Sequence, residues 1–202
     1  MKQRPKLYLA GPEVFLPEAS AIGRNKKELC TKYGFEGLFP FDTEISPGSG
    51  APIDRLIYCA NIRMIRAADG GIFNLTPFRG QSADVGTVFE LGLFTGLEKP
   101  TYAYSNADGT LLDRMKKDGT AKFDEATGTW RDSSGMAIED FGIADNLMVV
   151  DCLAEQGDRL VQQKVKDTER FSDLSGFKAC LEQAHAHFYG VASRWIYRGR
   201  VV

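Results

Sequence analysis

Two acidic residues stand out by their setting. Asp84 and Glu90 lie six residues apart in Ala83-Asp84-Val85-Gly86-Thr87-Val88-Phe89-Glu90-Leu91-Gly92, a run otherwise small or apolar. A carboxylate among such neighbours is costly unless it has a partner or a purpose. The chemistry on offer is that of a nucleophile and of a proton carrier. Asp84 opens a predicted helix, where free N–H groups favour its charge. Gly86 and Gly92 strip bulk from the helix surface, so a ligand or another element can approach closely. The plainer alternative is that Asp84 is only a helix cap and Glu90 only the buried partner of a lysine or arginine.

Two further segments carry polar groups where an open sheet would present them. Tyr8-Leu9-Ala10-Gly11-Pro12-Glu13-Val14-Phe15 follows a short apolar strand, and Asp145-Asn146-Leu147-Met148 opens an apolar run. In the first, Phe15 could stack on a planar ligand or anchor the next helix. Arg79, beside Asp84, could close over a substrate or pair with a nearby acid. Asp42 sits at a predicted strand end. Trp130 and Trp195 read as packing or oligomer contacts. His185 and His187 are two residues apart on a predicted helix and point to different faces, so they make no metal pair. The cysteines Cys30, Cys59, Cys152 and Cys180 form no CxxC pair, which fits reduced thiols better than a disulfide scaffold or zinc site.

The elements that would position these groups alternate between strand-like and helix-like periods, the pattern of a parallel sheet flanked by helices. Strands are expected at 7–10, 37–40, 71–75, 100–105 and 147–151, and helices at about 17–33, 52–68, 84–97 and 174–189. Gly34 is the stop signal of the first helix, and Ser46-Pro47-Gly48-Ser49-Gly50 reads as a loop. Residues of about 106–145 look like an insertion with a hairpin around Ala126-Thr127-Gly128. The expected fold is α/β: a single flavodoxin-like (Rossmann-like), doubly wound domain spanning 1–202, with five parallel strands and ligands beyond their carboxyl ends.

Composition narrows the partners. Of 202 residues, 43% are hydrophobic and 26% charged, and 27 acids against 25 bases leave a net charge of −2. That is a globular composition without the broad basic field expected of a nucleic-acid or membrane-surface binder. No apolar run is long enough to span a bilayer, and the N-terminus has no signal-peptide pattern, so a cytoplasmic protein is expected.

Taken in order, Tyr8…Gly11-Pro12, Asn61 in Ala60-Asn61-Ile62-Arg63, Pro77-Phe78-Arg79-Gly80…Asp84-Val85-Gly86-Thr87…Glu90-Leu91-Gly92 and Asn146-Leu147-Met148 resemble the nucleoside 2-deoxyribosyltransferase family. The resemblance implies transfer of 2-deoxyribose between nucleobases by double displacement, needing no cofactor or metal. It implies that Glu90 is the nucleophile forming a glycosyl ester, Tyr8 the hydroxyl orienting it, and Asp84 the group that binds the base and handles its proton. Gly11, Phe15, Asn61, Arg79, Gly86, Asn146 and Met148 would contact substrate. Asn146 and the backbone near Met148 would serve a neighbouring subunit's site, so a homo-oligomer with shared active sites is expected. Many members carry Asp where this chain has Asn61. An amide both donates and accepts, which shifts proton handling to Asp84 and leans the base preference towards purines.

Three other readings compete. An N-glycosidase would use the same nucleophile with water as acceptor; acting on nucleotides it would need a phosphate pocket near the first strand, where Glu13 is expected to repel phosphate. A phosphoribohydrolase of the cytokinin-activating type would need Pro-Gly-Gly where this chain has Ala83-Asp84-Val85. A non-enzymatic nucleotide-binding module would have no need of Glu90 in an apolar helix.

Overall fold

Strand β1 (Lys6–Ala10) shows how the sheet sorts its side chains. Leu7 and Leu9 enter one core and Tyr8 and Ala10 the other, because successive strand residues point to opposite faces. The computed structural model describes residues 3–42, 50–157 and 160–190. The expected loop residues Ser46–Ser49, and Trp195, lie outside them.

After β1 the chain forms α1 (Ala19–Lys32), β2 (Glu36–Leu38), α2 (Ile53–Ala67), β3 (Gly70–Asn74), α3 (Val85–Gly96) and β4 (Thr101–Ser105). Then come α4 (Leu111–Lys117), the hairpin strands β5 (Lys122–Asp124) and β6 (Thr129–Arg131), α5 (Leu147–Ala154), β7 (Leu160–Gln162) and α6 (Ser175–Tyr189). The sheet is five-stranded in the order β2-β1-β3-β4-β7, every pairing parallel. This is the flavodoxin-like order expected from the sequence.

One core joins Leu7, Leu9, Ile72, Tyr102 and Tyr104 to Cys30 of α1 and to Phe177, Cys180 and Leu181 of α6. The other joins Tyr8, Ala10, Phe73 and Ala103 to Ile65, Leu91, Phe94, Val149 and Leu153 of α2, α3 and α5. Both faces are covered, so strands read as apolar runs rather than alternating ones. Gly34 takes φ 88°, the left-handed turn that ends α1.

One element differs from expectation. Leu147–Asp151 is not the fifth strand; Asn146 caps a helix there, its side chain accepting from the Met148 N–H at 3.0 Å. A short apolar run fits a buried strand and a buried helix equally well by period. The cap, and the burial of Val149 and Leu153 four residues apart, decide for helix. The fifth strand is β7, half-buried at the sheet edge, with too few apolar residues to announce itself. The expected hairpin is present as β5–β6. Helix α4 was not anticipated, although Thr110 and Asp113 form a capping box at its start.

Candidate active site

In this strand order the topological switch lies at the carboxyl ends of β1 and β3, where ligands bind in such folds. Tyr8 projects from β1 on the face covered by α2 and α3, and Glu90 lies on the second turn of α3. The Tyr8 hydroxyl donates to Glu90 Oε1 at 2.6 Å. Among the described residues no lysine or arginine pairs with Glu90. The reading of Glu90 as a cation's buried partner is therefore set aside. Burial pushes the Glu90 carboxyl up to about 7, helped by the nearby Asp84 charge, while hydrogen bonding from Tyr8 and Asn61 pulls partly back. Burial first, then the Glu90 charge, holds the Tyr8 hydroxyl protonated far above the usual phenol range.

Glu90 and Asn61 open into a cavity of about 330 Å³, completed by Tyr58, Ile62, Ile65, Gly86 and Phe89. A small, mainly apolar hollow with a few converging polar groups is the form of a small-molecule site. Asn61 Oδ1 is buried there with no hydrogen-bond partner. A buried acceptor left so is costly unless a ligand donor satisfies it. Tyr58, Ile62 and Phe89 escaped sequence reasoning. Their signal was that Tyr58 and Ile62 flank Asn61 on α2, and that Phe89 adjoins Glu90 yet stays 57% exposed.

Asp84 is both cap and site neighbour. Its Oδ2 accepts from the Thr87 backbone N–H at 3.0 Å and the Thr87 hydroxyl at 3.1 Å, fixing the start of α3. A Cβ on Gly86 would come within 3.1 Å of that same oxygen, so glycine keeps this approach open.

The loop after β1 behaves differently from expectation at one residue. Gly11 is needed for a close approach, since a Cβ there would lie 2.8 Å from the Asn74 Cβ. Glu13 does not face outward. It is fully buried, with Oε1 held by Lys26 Nζ at 2.5 Å, Asn74 Nδ2 at 2.8 Å and the Tyr104 hydroxyl at 2.9 Å. Its charge is offset by Lys26, so the expected repulsion of phosphate does not follow. Phe15 stacks on Phe78 at 5.3 Å, and the Arg79 guanidinium lies over both rings at 4.9 and 4.8 Å. Arg79 takes φ 54°, an uncommon left-handed conformation for a side-chain-bearing residue. These three form a cation–aromatic cluster and do not line the Glu90 cavity.

Asn146 and Met148 are also absent from that cavity's lining. The Asn146 amide donates to Glu139 Oε1 at 2.5 Å, and the Met148 side chain is 73% exposed. The remaining singled-out residues are structural. Asp42 pairs with Lys27 at 2.6 Å, His185 meets the Tyr33 carbonyl at 3.1 Å, and His187 packs edge-on to Tyr102. Trp130 packs at a tilt against Phe123 and lies 4.0 Å beneath Lys116. Among the described residues no group of three or more His, Cys, Asp and Glu side chains could hold a metal, and no helix is long and apolar enough to cross a membrane.

Known proteins resemble the chain across this same architecture. It is 29% identical over 164 residues to an uncharacterised protein of Schizosaccharomyces pombe, covering 71% of this chain and 74% of that one. A solved 2-desoxiribosyltransferase from Leishmania mexicana is 28% identical, with a TM-score of 0.60 over 88% of this chain and 97% of that chain. A conserved protein from Enterococcus faecalis V583 shares the fold at 16% identity, with a TM-score of 0.51 over 90% of this chain and 99% of its own. The model of the nucleoside 2-deoxyribosyltransferases matches residues 7–148, which takes in the Tyr8–Glu90 pair, Asp84 and Asn146, and the chain belongs to that family.

Proposed function

We propose that the protein transfers 2-deoxyribose between nucleobases by double displacement, with Glu90 as nucleophile. The observation that carries this reading is Glu90 itself: a half-buried carboxylate facing a cavity, held by a phenol and an amide rather than by a cation. Tyr8 engages Oε1, which leaves Oε2 for attack on C1′. In the substrate complex Asp84 carries a proton taken from solvent. As the C1′–O bond forms, the C1′–N bond breaks and the base leaves with the electron pair, protonated by Asp84. The acceptor base then attacks C1′, displaces the Glu90 carboxylate and returns a proton to Asp84. Two inversions give net retention. The missing 2-hydroxyl lowers the cost of the oxocarbenium-like transition state, so deoxyribonucleosides should react far faster than ribonucleosides. Asn61 cannot serve as an acid, which leaves proton handling to Asp84 and favours purines.

The site is completed by a second copy of the chain, in which Asn146 and Met148 reach the 5′-hydroxyl. Support comes from the exposure of Met148 and from the absence of both residues from their own chain's cavity. Mixing inactive Glu90→Ala and Asn146→Ala proteins under subunit exchange should then restore part of the activity.

The decisive experiment incubates the protein with deoxyinosine and adenine and measures deoxyadenosine by chromatography. Its appearance, and its loss in Glu90→Ala, is the expected result. Hypoxanthine release without any transfer would favour an N-glycosidase instead. That second reading gains from the pairing of Glu13 with Lys26, which removes an obstacle to phosphorylated substrates.

A further inference from the structure

The segment between β3 and α3 is irregular, and it sets the position of Asp84, which caps α3 two residues before Gly86 of the cavity wall. Within itself it makes one loop-closing bond, from the Phe78 N–H to the Ser82 carbonyl at 2.9 Å. Its first residues are held by Asn74, and Phe78 stacks on Phe15. Residues 81–83, directly before Asp84, are anchored from residues 106–145, distant in sequence. The Arg114 guanidinium donates to the Gln81 carbonyl through Nε at 3.2 Å and Nη2 at 2.8 Å, and the same Nη2 reaches the Ala144 carbonyl at 2.6 Å. The Gln81 amide in turn donates to Asp118. Asp145, only 4% exposed, accepts from the Ala83 N–H with Oδ2 and from the Asn146 N–H with Oδ1, both at 2.8 Å. Ala83 directly precedes Asp84, and Asn146 caps α5. One carboxylate therefore ties together the starts of α3 and α5, while Arg114 grips both strands of chain beside it.

We infer that Arg114 and Asp145 are positioning residues for Asp84, and that the work of the 106–145 segment in the reaction is this clamp. The inference rests on the proposed transferase reading for its catalytic meaning, but the clamp itself does not. The hydrogen bonds of Arg114 and Asp145 fall on Gln81 and Ala83, the backbone that leads directly into the reacting carboxylate, so they fix its position as well as satisfying buried peptide groups. Small displacements of such a group cost rate steeply, about a hundredfold for 1 Å.

The test uses Asp145→Ala, Asp145→Asn and Arg114→Ala in the full chain, with Arg131→Ala as control. Arg131 pairs with Asp124 inside the β5–β6 hairpin of the same segment and does not touch residues 76–84. Both alanine variants should lower kcat for base exchange by about ten- to a hundredfold, with the nucleoside KM moving less than about threefold. Asp145→Asn keeps an acceptor for the Ala83 N–H and should recover much of the loss, and Arg131→Ala should leave exchange unchanged. In an Asp84→Asn background, Asp145→Ala should cost little more, because both changes act through one group. Backbone amide exchange over 76–84, measured without substrate, should quicken in Asp145→Ala and not in Arg131→Ala. Wild-type kcat in Asp145→Ala, losses that multiply with those of Asp84→Asn, or unaltered amide protection would each overturn the proposal. If the wild-type protein transfers no deoxyribose, the transferase reading falls, and amide protection alone decides the clamp.

Discussion

Glu13, fully buried, and Glu90, half-buried, are carboxylates on opposite sides of one sheet, and they are treated in opposite ways. Glu13 sits against α1 with an ammonium, an amide and a phenol on the same oxygen, and no solvent reaches it. It ties the ends of β1, β3 and β4 to α1, which is structural work. Glu90 sits against α2 with a phenol and an amide but no cation, and it faces an open cavity. The fold neutralises one charge and leaves the other in need of a partner. A buried ion pair is expensive to break, whereas an unpaired carboxylate beside a hollow is primed to react.

The sharpest way to break this contrast is to truncate each acid. Glu90→Ala should lower base exchange by at least about a thousandfold with the fold intact, as expected when a nucleophile is lost. Glu13→Gln should do the reverse. It leaves Lys26 charged and buried, so urea unfolding should show a loss of about 3–5 kcal/mol. A Glu13→Gln protein as stable as wild type would show that the Lys26 pair carries no structural weight.

Removing only the charge of Glu90 should stabilise the molecule. Its carboxyl is raised from the usual 4.5 to about 7, so between these values the folded state binds more protons than the unfolded one. Stability from this group therefore falls as pH rises through that window, and the full penalty is present above it. Glu90→Gln should gain at most about 3 kcal/mol at pH 8, and the gain should vanish below about pH 4.5. Melting temperatures at both pH values check the sign.

The smallest effect concerns the phenol. Nucleophilic attack needs ionised Glu90, so kcat/KM should rise with pH through about 7 in the free protein. The Tyr8 hydrogen bond lowers the Glu90 carboxyl, and Tyr8→Phe should move this limb to higher pH. The rate above the limb should fall by about ten- to a hundredfold, in keeping with one charge-assisted bond of about 1.5–3 kcal/mol. A limb that stays in place would mean that Tyr8 does not tune the nucleophile.

Much of this was legible along the chain. Four of the five sheet strands and the helices α1, α2, α3 and α6 followed from apolar period, because burial on one helix stripe or in a covered strand is written locally. Asp84 and Glu90 were visible because carboxylates in an apolar run are rare. The fifth strand was misplaced, since Leu147–Leu153 has no polar alternation to separate helix from strand, and Leu160–Gln162 is too short and polar to read. Glu13 was misread as an outward charge because nothing near it in sequence names Lys26 as its partner.

The sequence by itself determined the α/β class, the start of α3 at Asp84, and the offset that carries Glu90 to its second turn. Those are consequences of residue type and spacing within one element. Only the tertiary structure decided that Tyr8, 82 residues away, donates to Glu90, that Asn61 is left with an unpartnered acceptor, and that Arg114 and Asp145 hold the loop before Asp84. The physical reason is that a polar group's partner is chosen by the packing of elements. Residues far apart in the chain become neighbours through sheet order and helix docking, and no local period encodes that choice.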